Sequence, residues 1–302
     1  MMIKLKLGTR ASPLALAQTD RVIQALGTWG HGGQAKTFST QGDRVQDRPL
    51  QDLGDKGVFT AELEAALRAG QIDAAVHSAK DMSAIDDPDL PLVAALPRDS
   101  RGDVLIAKGG QGLGDLSAGT RIGTSSLRRA SQIRALRPDL TIVPIRGNLQ
   151  TRLKKWRAGE VEALILAAAG LERMGLDQDQ DDIPMQALTW PYAPAQGIIA
   201  IQATKPSVIW DQINDPAAMQ ALMIERALIR GLGANCRQPV ACQVQIGTTT
   251  TTLDIYAWDV GGQEHHLHKT LAPALSDQAL CQQAQALGQQ LRAHVGEGLA
   301  AS

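Results

Sequence analysis

Three times this chain runs a short strand into a turn of hydroxyl, glycine and arginine residues, and from there directly into a helix. Residues 3–8 lead to Thr9, Arg10 and Ser12, with Pro13 at the first helical position; residues 121–123 lead to Thr124, Ser125 and Ser126; residues 142–145 lead to Arg146, Gly147 and Asn148. Repeated strand–turn–helix units build α/β layers with parallel strands, and such layers place their ligand crevices at the carboxyl ends of those strands. Each helix start leaves backbone N–H groups without partners, so arginines and hydroxyls gathered beside it favour a carboxylate or a phosphate. The alternative at each turn is a plain helix cap beside a solvated arginine. Recurrence of the same chemistry after two strands of one lobe weighs against it.

The remaining elements follow from periodicity and punctuation. Leu16, Thr19, Ile23 and Leu26 keep helical spacing as far as Gly27. A strand over 35–40 runs into the polar segment 41–56, whose length suits a lid or a connector. A helix over 61–68 and strands over 72–76 and 92–96 complete a first α/β lobe. From Asp103 the pattern starts again, with strands over 104–107, 121–123, 142–145 and 163–168. The glycines at 109, 110, 112 and 114 form a turn, because no helix follows at the spacing a dinucleotide fingerprint needs. A strand over 198–201 precedes a helix over 217–230, N-capped by Asp215 with Pro216 at its first position, and an irregular loop over 231–239. Beyond it the texture changes to strands over 240–246, 253–258 and 265–271 and a final helix from Ser276 to Val295, a small α+β domain.

A length of 302 residues exceeds one ordinary core and points to two or three domains. The net charge of −1 creates no global field toward nucleic acid or a membrane surface, so any anion site must rest on local cations. No run approaches the length needed to span a bilayer, and residues 1–8 lack the apolar core and cleavage site of a signal peptide. Cys236, Cys242 and Cys281 are a sparse, odd set, which argues against a disulfide framework and for a reducing cytoplasm. Cys242 and Cys281 fall in a strand pattern and on a helix face, where buried thiols are ordinary.

Two stretches carry sharper chemistry. In Val76-His77-Ser78-Ala79-Lys80-Asp81-Met82 a buried strand is expected to surface at His77 and deliver a lysine and an aspartate side by side. In Gly123-Thr124-Ser125-Ser126-Leu127-Arg128-Arg129 two guanidiniums occupy the first turn of a helix. That is the wrong end of the helix dipole for a cation unless an anion meets them there. Arg152 sits on the early face of the next helix, with Lys154, Lys155 and Arg157 on its solvated side.

Those two stretches belong to a larger set in one order. Gly8 to Gln18 reads Gly-Thr-Arg-Ala-Ser-Pro-Leu-Ala-Leu-Ala-Gln, followed by His77-Ser78-Ala79-Lys80-Asp81 and the run from Gly123 to Arg129. Arg146-Gly147-Asn148 with Thr151-Arg152-Leu153, Ala195-Gln196-Gly197, Glu225-Arg226-Ala227 and Cys236-Arg237-Gln238-Pro239-Val240 complete it. In these motifs the chain resembles the hydroxymethylbilane synthase, or porphobilinogen deaminase, family over nearly its whole length. The resemblance implies an α/β fold of two periplasmic-binding-protein-like lobes with mixed sheets plus the small C-terminal domain. It divides the chain into 1–97 with 198–214, 98–197, and 215–302. It implies head-to-tail condensation of four porphobilinogen molecules with loss of ammonia, giving the linear hydroxymethylbilane of tetrapyrrole biosynthesis. The implied cofactor is a dipyrromethane primer held by a thioether to Cys236, and a soft thiolate suits capture of the electrophile that porphobilinogen becomes on losing its amine.

Carried over residue by residue, the resemblance makes Asp81 the catalytic carboxylate. Ser78, Lys80, Asp81, Thr124, Ser125, Ser126, Arg128, Arg129, Arg146 and Gly147 then hold the cofactor; Arg10, Ser12, Gln18, Arg146, Arg152, Arg173 and Gln196 hold substrate. Lys56 and Phe59 belong to the lid. No metal is implied, and the resemblance leans to a monomer. Four places depart from the family pattern: Ser83 for a usual Pro, Gly102 for Arg, Gln202 for Glu, and Ala234-Asn235 for Gly-Gly. A solute receptor shares the two-lobed architecture, but the attached third domain and the missing export signal weigh against it. A nucleic-acid-binding module is disfavoured by near-neutral charge and few aromatic residues for stacking.

Overall fold

A computed structural model describes residues 3–44, 58–176, 183–234, 238–272, 275–296 and 299. The chain divides into two units, Met1–Asp99 with Gly197–Met223 and Ser100–Gln196 with Ile224–Ser302. In the first, β1 (Lys4–Arg10), β2 (Gly32–Phe38) and β3 (Ala74–Ser78) run parallel in the order β2-β1-β3. Strand β10 (Ile199–Gln202) then pairs antiparallel with β3, and β4 (Leu92–Ala95) antiparallel with β10. Side-chain alternation splits the core between the two faces of this sheet. Leu7, Val76 and Ile201 cluster with Val22 and Leu26 of α1 (Pro13–Thr28) and with Trp210 and Ile213 of α7 (Val208–Ile213). Ala75 meets Leu63 and Leu67 of α3 (Ala61–Arg68). Apolar cover on both faces is why the central strands β3 and β10 read as nearly unbroken apolar runs. A single turn, α2 (Gln41–Arg44), follows β2.

The second unit repeats the construction. Its sheet has the order β7-β6-β8-β5-β9, with β6 (Arg121–Gly123), β7 (Thr141–Val143) and β8 (Ala163–Ala167) parallel. Strands β5 (Asp103–Ala107) and β8 pair antiparallel, and β9 (Met185–Leu188) lies antiparallel to β5. Leu105, Ile122 and Ile165 pack on Ile133 of α4 (Leu127–Leu136); Ile106, Leu164 and Leu166 pack on Leu153 and Trp156 of α5 (Leu149–Arg157) and Leu171 of α6 (Ala168–Arg173). In both sheets the antiparallel fourth strand is the one that begins just after the chain passes from one unit to the other, β5 after Ser100 and β10 after Gly197.

After α8 (Pro216–Leu232), strands β11 (Val240–Ile246), β12 (Thr251–Trp258) and β13 (Glu264–Leu271) form an antiparallel meander against which α9 (Asp277–Val295) packs. Helices α8 and α9 cross backbone to backbone. A Cβ added at Gly288 would lie 2.1 Å from the carbonyl oxygen of Leu228, and one at Gly231 would lie 2.0 Å from that of Gln285. Neither oxygen can rotate away, so only glycine fits at either position. Gly288→Ala is therefore expected to destabilise the protein by about 1–3 kcal/mol through overpacking, read from the midpoint of urea unfolding at unchanged slope.

Where the elements differ from the sequence-based expectation, they do so at edges and short pieces. Strand β2 starts at Gly32, earlier than expected, because Gly32, Gly33 and Gln34 pair with Lys4, Leu5 and Lys6 across a polar edge that carries no apolar signal. The edge strand β9 and the six-residue α7 had no signal of their own. Helix α8 continues through Gly231 to Leu232, since that glycine serves the helix crossing and not a cap.

Candidate active site

In the first unit three backbone features converge. Strand β1 ends at Arg10, and Ser12 caps α1 by accepting a hydrogen bond from the Ala15 N–H at 3.3 Å, with Pro13 at the first helical position. The buried Thr9 hydroxyl donates to the Ala15 carbonyl at 3.1 Å and fixes the turn from below. Next to β1, strand β3 ends at Ser78 and passes into a tight turn, Ala79–Asp81, that carries Lys80 and Asp81 half-buried. Gln18 is buried on α1; its amide donates to Ser78 Oγ at 2.7 Å, and its oxygen accepts from the same hydroxyl at 3.1 Å. Phe59 closes the other side, its ring centroid 4.2 Å from the Arg10 guanidinium carbon in a cation–π contact. The result is a cleft lined by Arg10, Ser12, Gln18, Phe59, Ser78 and Asp81.

His77 does not surface as expected. It lies within β3, 4% exposed, with Nε2 3.2 Å from the Gln202 amide oxygen, while Gln202 donates to the Leu90 carbonyl at 2.9 Å. The cause is long-range: β10 pairs residue for residue with the end of β3, Ala200 opposite His77 and Ile199 opposite Ser78. Burial of the histidine extends the rigid strand right up to the turn that carries Asp81.

In the second unit the carboxyl ends of β6 and β7 carry a matching pair of turns. After β6, Thr124 is buried and accepts from the Ser126 N–H at 3.2 Å, Ser125 donates to the Ile145 carbonyl at 2.7 Å, and Ser126 caps α4. After β7, Asn148 caps α5 by accepting from the Thr151 N–H at 2.9 Å, and Arg152 Nε donates to the Gly147 carbonyl at 2.8 Å. Gly147 has φ +110°, and a Cβ there would lie 2.6 Å from Thr151 Cγ2, so glycine is required twice over. Arg146 is half-buried, and its Nη1 is buried without a hydrogen-bond partner among the described residues. Arg173 closes α6, the helix that leaves β8.

The two guanidiniums at the head of α4 meet an anion that the chain itself supplies. Arg129 Nη2 donates to Asp103 Oδ1 at 2.7 Å and Arg128 Nη2 to Asp103 Oδ2 at 2.8 Å, all three side chains being almost wholly buried. Gln196 Nε2 and Trp190 Nε1, each at 3.0 Å, bring the donors on this one carboxylate to four. The outer nitrogens are also held: Arg128 Nη1 by Gln132 Oε1 and the Pro191 carbonyl, Arg129 Nη1 by the Ile165 carbonyl. Burial alone would raise the Asp103 pKa; the charges of Arg129 and Arg128, with hydrogen bonds from Arg129 and Gln196, reverse that and hold it far below the usual carboxylate range. Arg128, Arg129 and Gln196, expected to face a ligand, thus have an internal carboxylate as partner. Two cations on one anion leave the triad with one net positive charge at a helix N-terminus, and both Arg Nε atoms are buried without hydrogen-bond partners among the described residues.

Asp103, which matches the family motif at 98–103, and Trp190 and Gln132 were not among the expected site residues. A single carboxylate heading the otherwise apolar run 103–107 was the available signal, since such a group must be paired when buried. Lys56 and Cys236 lie outside the described residues. Cys242 is buried and Cys281 half-buried. Among the described residues no group of three His, Cys, Asp or Glu side chains could hold a metal ion, and no helix is long and apolar enough to cross a membrane.

The family model and the sequence relatives point to one family. Residues 5–208 match the family model described as porphobilinogen deaminase, dipyrromethane cofactor binding domain. The chain is 44% identical over 247 residues to a porphobilinogen deaminase of Roseiflexus castenholzii, covering 80% of this chain and 81% of that one. It is 46% identical over 241 residues to one of Roseiflexus sp. strain RS-1, covering 78% and 79%. Among solved structures an ancestral arginine-binding protein bound to arginine aligns at 15% identity with a TM-score of 0.40, over 74% of this chain and 92% of that one. With a family model spanning both sheets and relatives of this identity over four-fifths of its length, the chain belongs to the porphobilinogen deaminase family.

Proposed function

We propose that this protein joins four porphobilinogen molecules head to tail, releasing four ammonia molecules and taking up one water to give linear hydroxymethylbilane. The observation that carries it is the cleft of the first unit, where Asp81 stands with Arg10, Ser12 and Ser78 at the start of α1. A pyrrole bearing acetate and propionate needs an acceptor for its N–H and cations for its carboxylates, and this cleft offers both. When bound through a thioether to Cys236, the dipyrromethane supplies the pyrrole from which the product grows. The fit of that acidic group is supported by the unpartnered Arg146 Nη1 and by the net positive charge at the head of α4.

Asp81 accepts the pyrrole N–H and offsets the positive charge that develops as the C–N bond of porphobilinogen breaks and ammonia leaves with the bonding pair. Arg10, Lys80, Arg146, Arg152 and Arg173 grip substrate and cofactor carboxylates, Arg residues by forked hydrogen bonds, while Ser12, Ser78, Thr124, Ser125 and Ser126 complete the acceptor-facing set. Arg128 and Arg129 contribute charge at the α4 turn from their seats on Asp103. Lys56 and Phe59 serve as lid residues, residues 1–97 with 198–214 as the catalytic lobe, 98–197 as the anion-turn lobe, and 215–302 as the domain carrying the cysteine. A cytoplasmic monomer that acts without nucleic acid or membrane fits the sparse cysteines and the near-zero net charge.

The test is direct. Purified protein mixed with porphobilinogen should release ammonia in step with a linear tetrapyrrole. Its intact mass should carry a denaturation-resistant adduct that maps to the peptide containing Cys236 and not to Cys242 or Cys281. A protein whose mass equals its sequence and which releases no ammonia would be a binder and not this enzyme.

A further inference from the structure

Among the described residues one non-glycine residue has a positive φ, Ala195 at 58°. A Cβ disfavours that left-handed region, so something must hold the backbone there. Ala195 is buried, and its N–H donates to Glu225 Oε2 at 2.5 Å; Glu225 itself is 0% exposed, in the middle of α8. The next residue, Gln196, uses one amide nitrogen to reach the Arg101 carbonyl at 2.6 Å, the Gly102 carbonyl at 3.1 Å and Asp103 Oδ1 at 3.0 Å. Asp103 in turn seats Arg128 and Arg129 at the head of α4. A continuous chain of hydrogen bonds therefore runs from α8 through a strained backbone turn to the anion-binding turn after β6, all within one unit. Helix α8 ends at Leu232, four residues before Cys236.

We propose that Glu225 is a positioning residue: by pinning Ala195 in its left-handed conformation it sets Gln196 on Asp103, and so fixes the α4 anion turn in register with the helix that leads to Cys236. This rests on the function proposed above, because register matters only if a group tethered at Cys236 must meet that turn. A buried carboxylate is an apt anchor for a strained amide. It gives a stronger, shorter hydrogen bond than a neutral acceptor and cannot turn a donor toward the N–H.

The experiment uses the full-length protein with its native adduct, in four forms: wild type, Glu225→Gln, Glu225→Ala, and Glu225→Ala combined with Ala195→Gly. Amide hydrogen exchange over residues 193–197, kcat and KM for porphobilinogen, and Tm are measured on each. Glu225→Ala should lose exchange protection at Ala195 and lower kcat at least tenfold per adduct-bearing molecule. Glu225→Gln keeps an oxygen acceptor and should stay within about threefold of wild type. Glycine enters the left-handed region freely, so the double variant should regain most of the lost kcat even if its Tm stays low. A Glu225→Ala protein that keeps its protection, or that loses only Tm while kcat stays within twofold, overturns the proposal, as does failure of glycine to rescue. Should Glu225→Ala not fold, Ala195→Val with Glu225 intact strains the same turn, and it must show the same losses for the proposal to stand. If the wild type releases no ammonia from porphobilinogen, the functional assignment fails, while the exchange data still decide whether Glu225 holds the turn.

Discussion

Replacing Asp81 with alanine is expected to lower kcat for porphobilinogen condensation by about 100- to 1,000-fold while the protein still folds and still carries its adduct. The magnitude follows from removing one preorganised electrostatic partner of a developing charge, about 2.7–4 kcal/mol of barrier. Folding should survive because Asp81 is half-buried on a three-residue turn, outside the core clusters of either sheet face. Two companion variants separate charge from shape. Asp81→Asn keeps the volume and one acceptor oxygen but loses the charge, and should fall nearly as far as alanine. Asp81→Glu keeps the charge and displaces it by one methylene, and a misplacement of roughly 1 Å costs up to about 100-fold. Single-turnover rates, normalised to adduct by intact mass, are the measurement. An Asp81→Ala enzyme within tenfold of wild type would remove the carboxylate from the chemistry.

The position of Asp81 shows how far local sequence reaches and where it stops. The turns after β1, β6 and β7 were legible because each is written in nearly consecutive residues: an N-cap, a proline or glycine, and an arginine, with hydroxyls in the first two. Physical chemistry at that scale is local, so the helices and their N-caps could be read directly. The seat of Asp81 could not. It depends on β10 pairing along β3 from more than a hundred residues away, which buries His77 against Gln202 and carries the strand to the edge of the cleft. Nothing within 76–82 records that partner.

The same limit explains the arginine pair. Cations in the first turn of α4 signal an anion, and the signal was sound; which anion it was depended on β5 lying antiparallel beside β8, bringing Asp103 under α4. A ligand carboxylate and an internal one satisfy the same local electrostatics. Only topology tells them apart. In the first unit, by contrast, the turn of Arg10 and Ser12 and the turn of Ser78 and Asp81 each carry their chemistry in consecutive residues, but only the family resemblance grouped them before the fold brought them into one cleft.

Asp103→Asn should lower stability by about 3–5 kcal/mol at neutral pH, the range for removing one partner of a buried ion pair. Taking three ions out of water costs several kcal/mol each, and only a fully satisfied carboxylate offsets that. Asparagine keeps the shape but leaves two buried guanidiniums facing each other with no charge between them, and its NH₂ must point a donor at a donor. The pH dependence gives an independent check. The folded-state pKa of Asp103 is depressed, so its stabilisation is fully present above the unfolded carboxylate value of about 3.9 and is lost only as pH falls from there toward the much lower folded value. Urea unfolding should therefore separate wild type from Asp103→Asn by a constant free energy between pH 5 and 8, since the group is ionised in both states of the wild type across that range. Below about pH 4 the gap should narrow, because the unfolded wild type begins to bind a proton that the folded protein refuses. A gap that stayed constant down to pH 2, or an Asp103→Asn protein as stable as wild type at pH 7, would mean that the two arginines are held by something other than this carboxylate. The activity of the variant supplies the last discrimination. If the triad also holds the α4 turn in place, Asp103→Asn should lose adduct at Cys236 even at temperatures where it remains folded, whereas a purely structural triad would leave every folded molecule loaded.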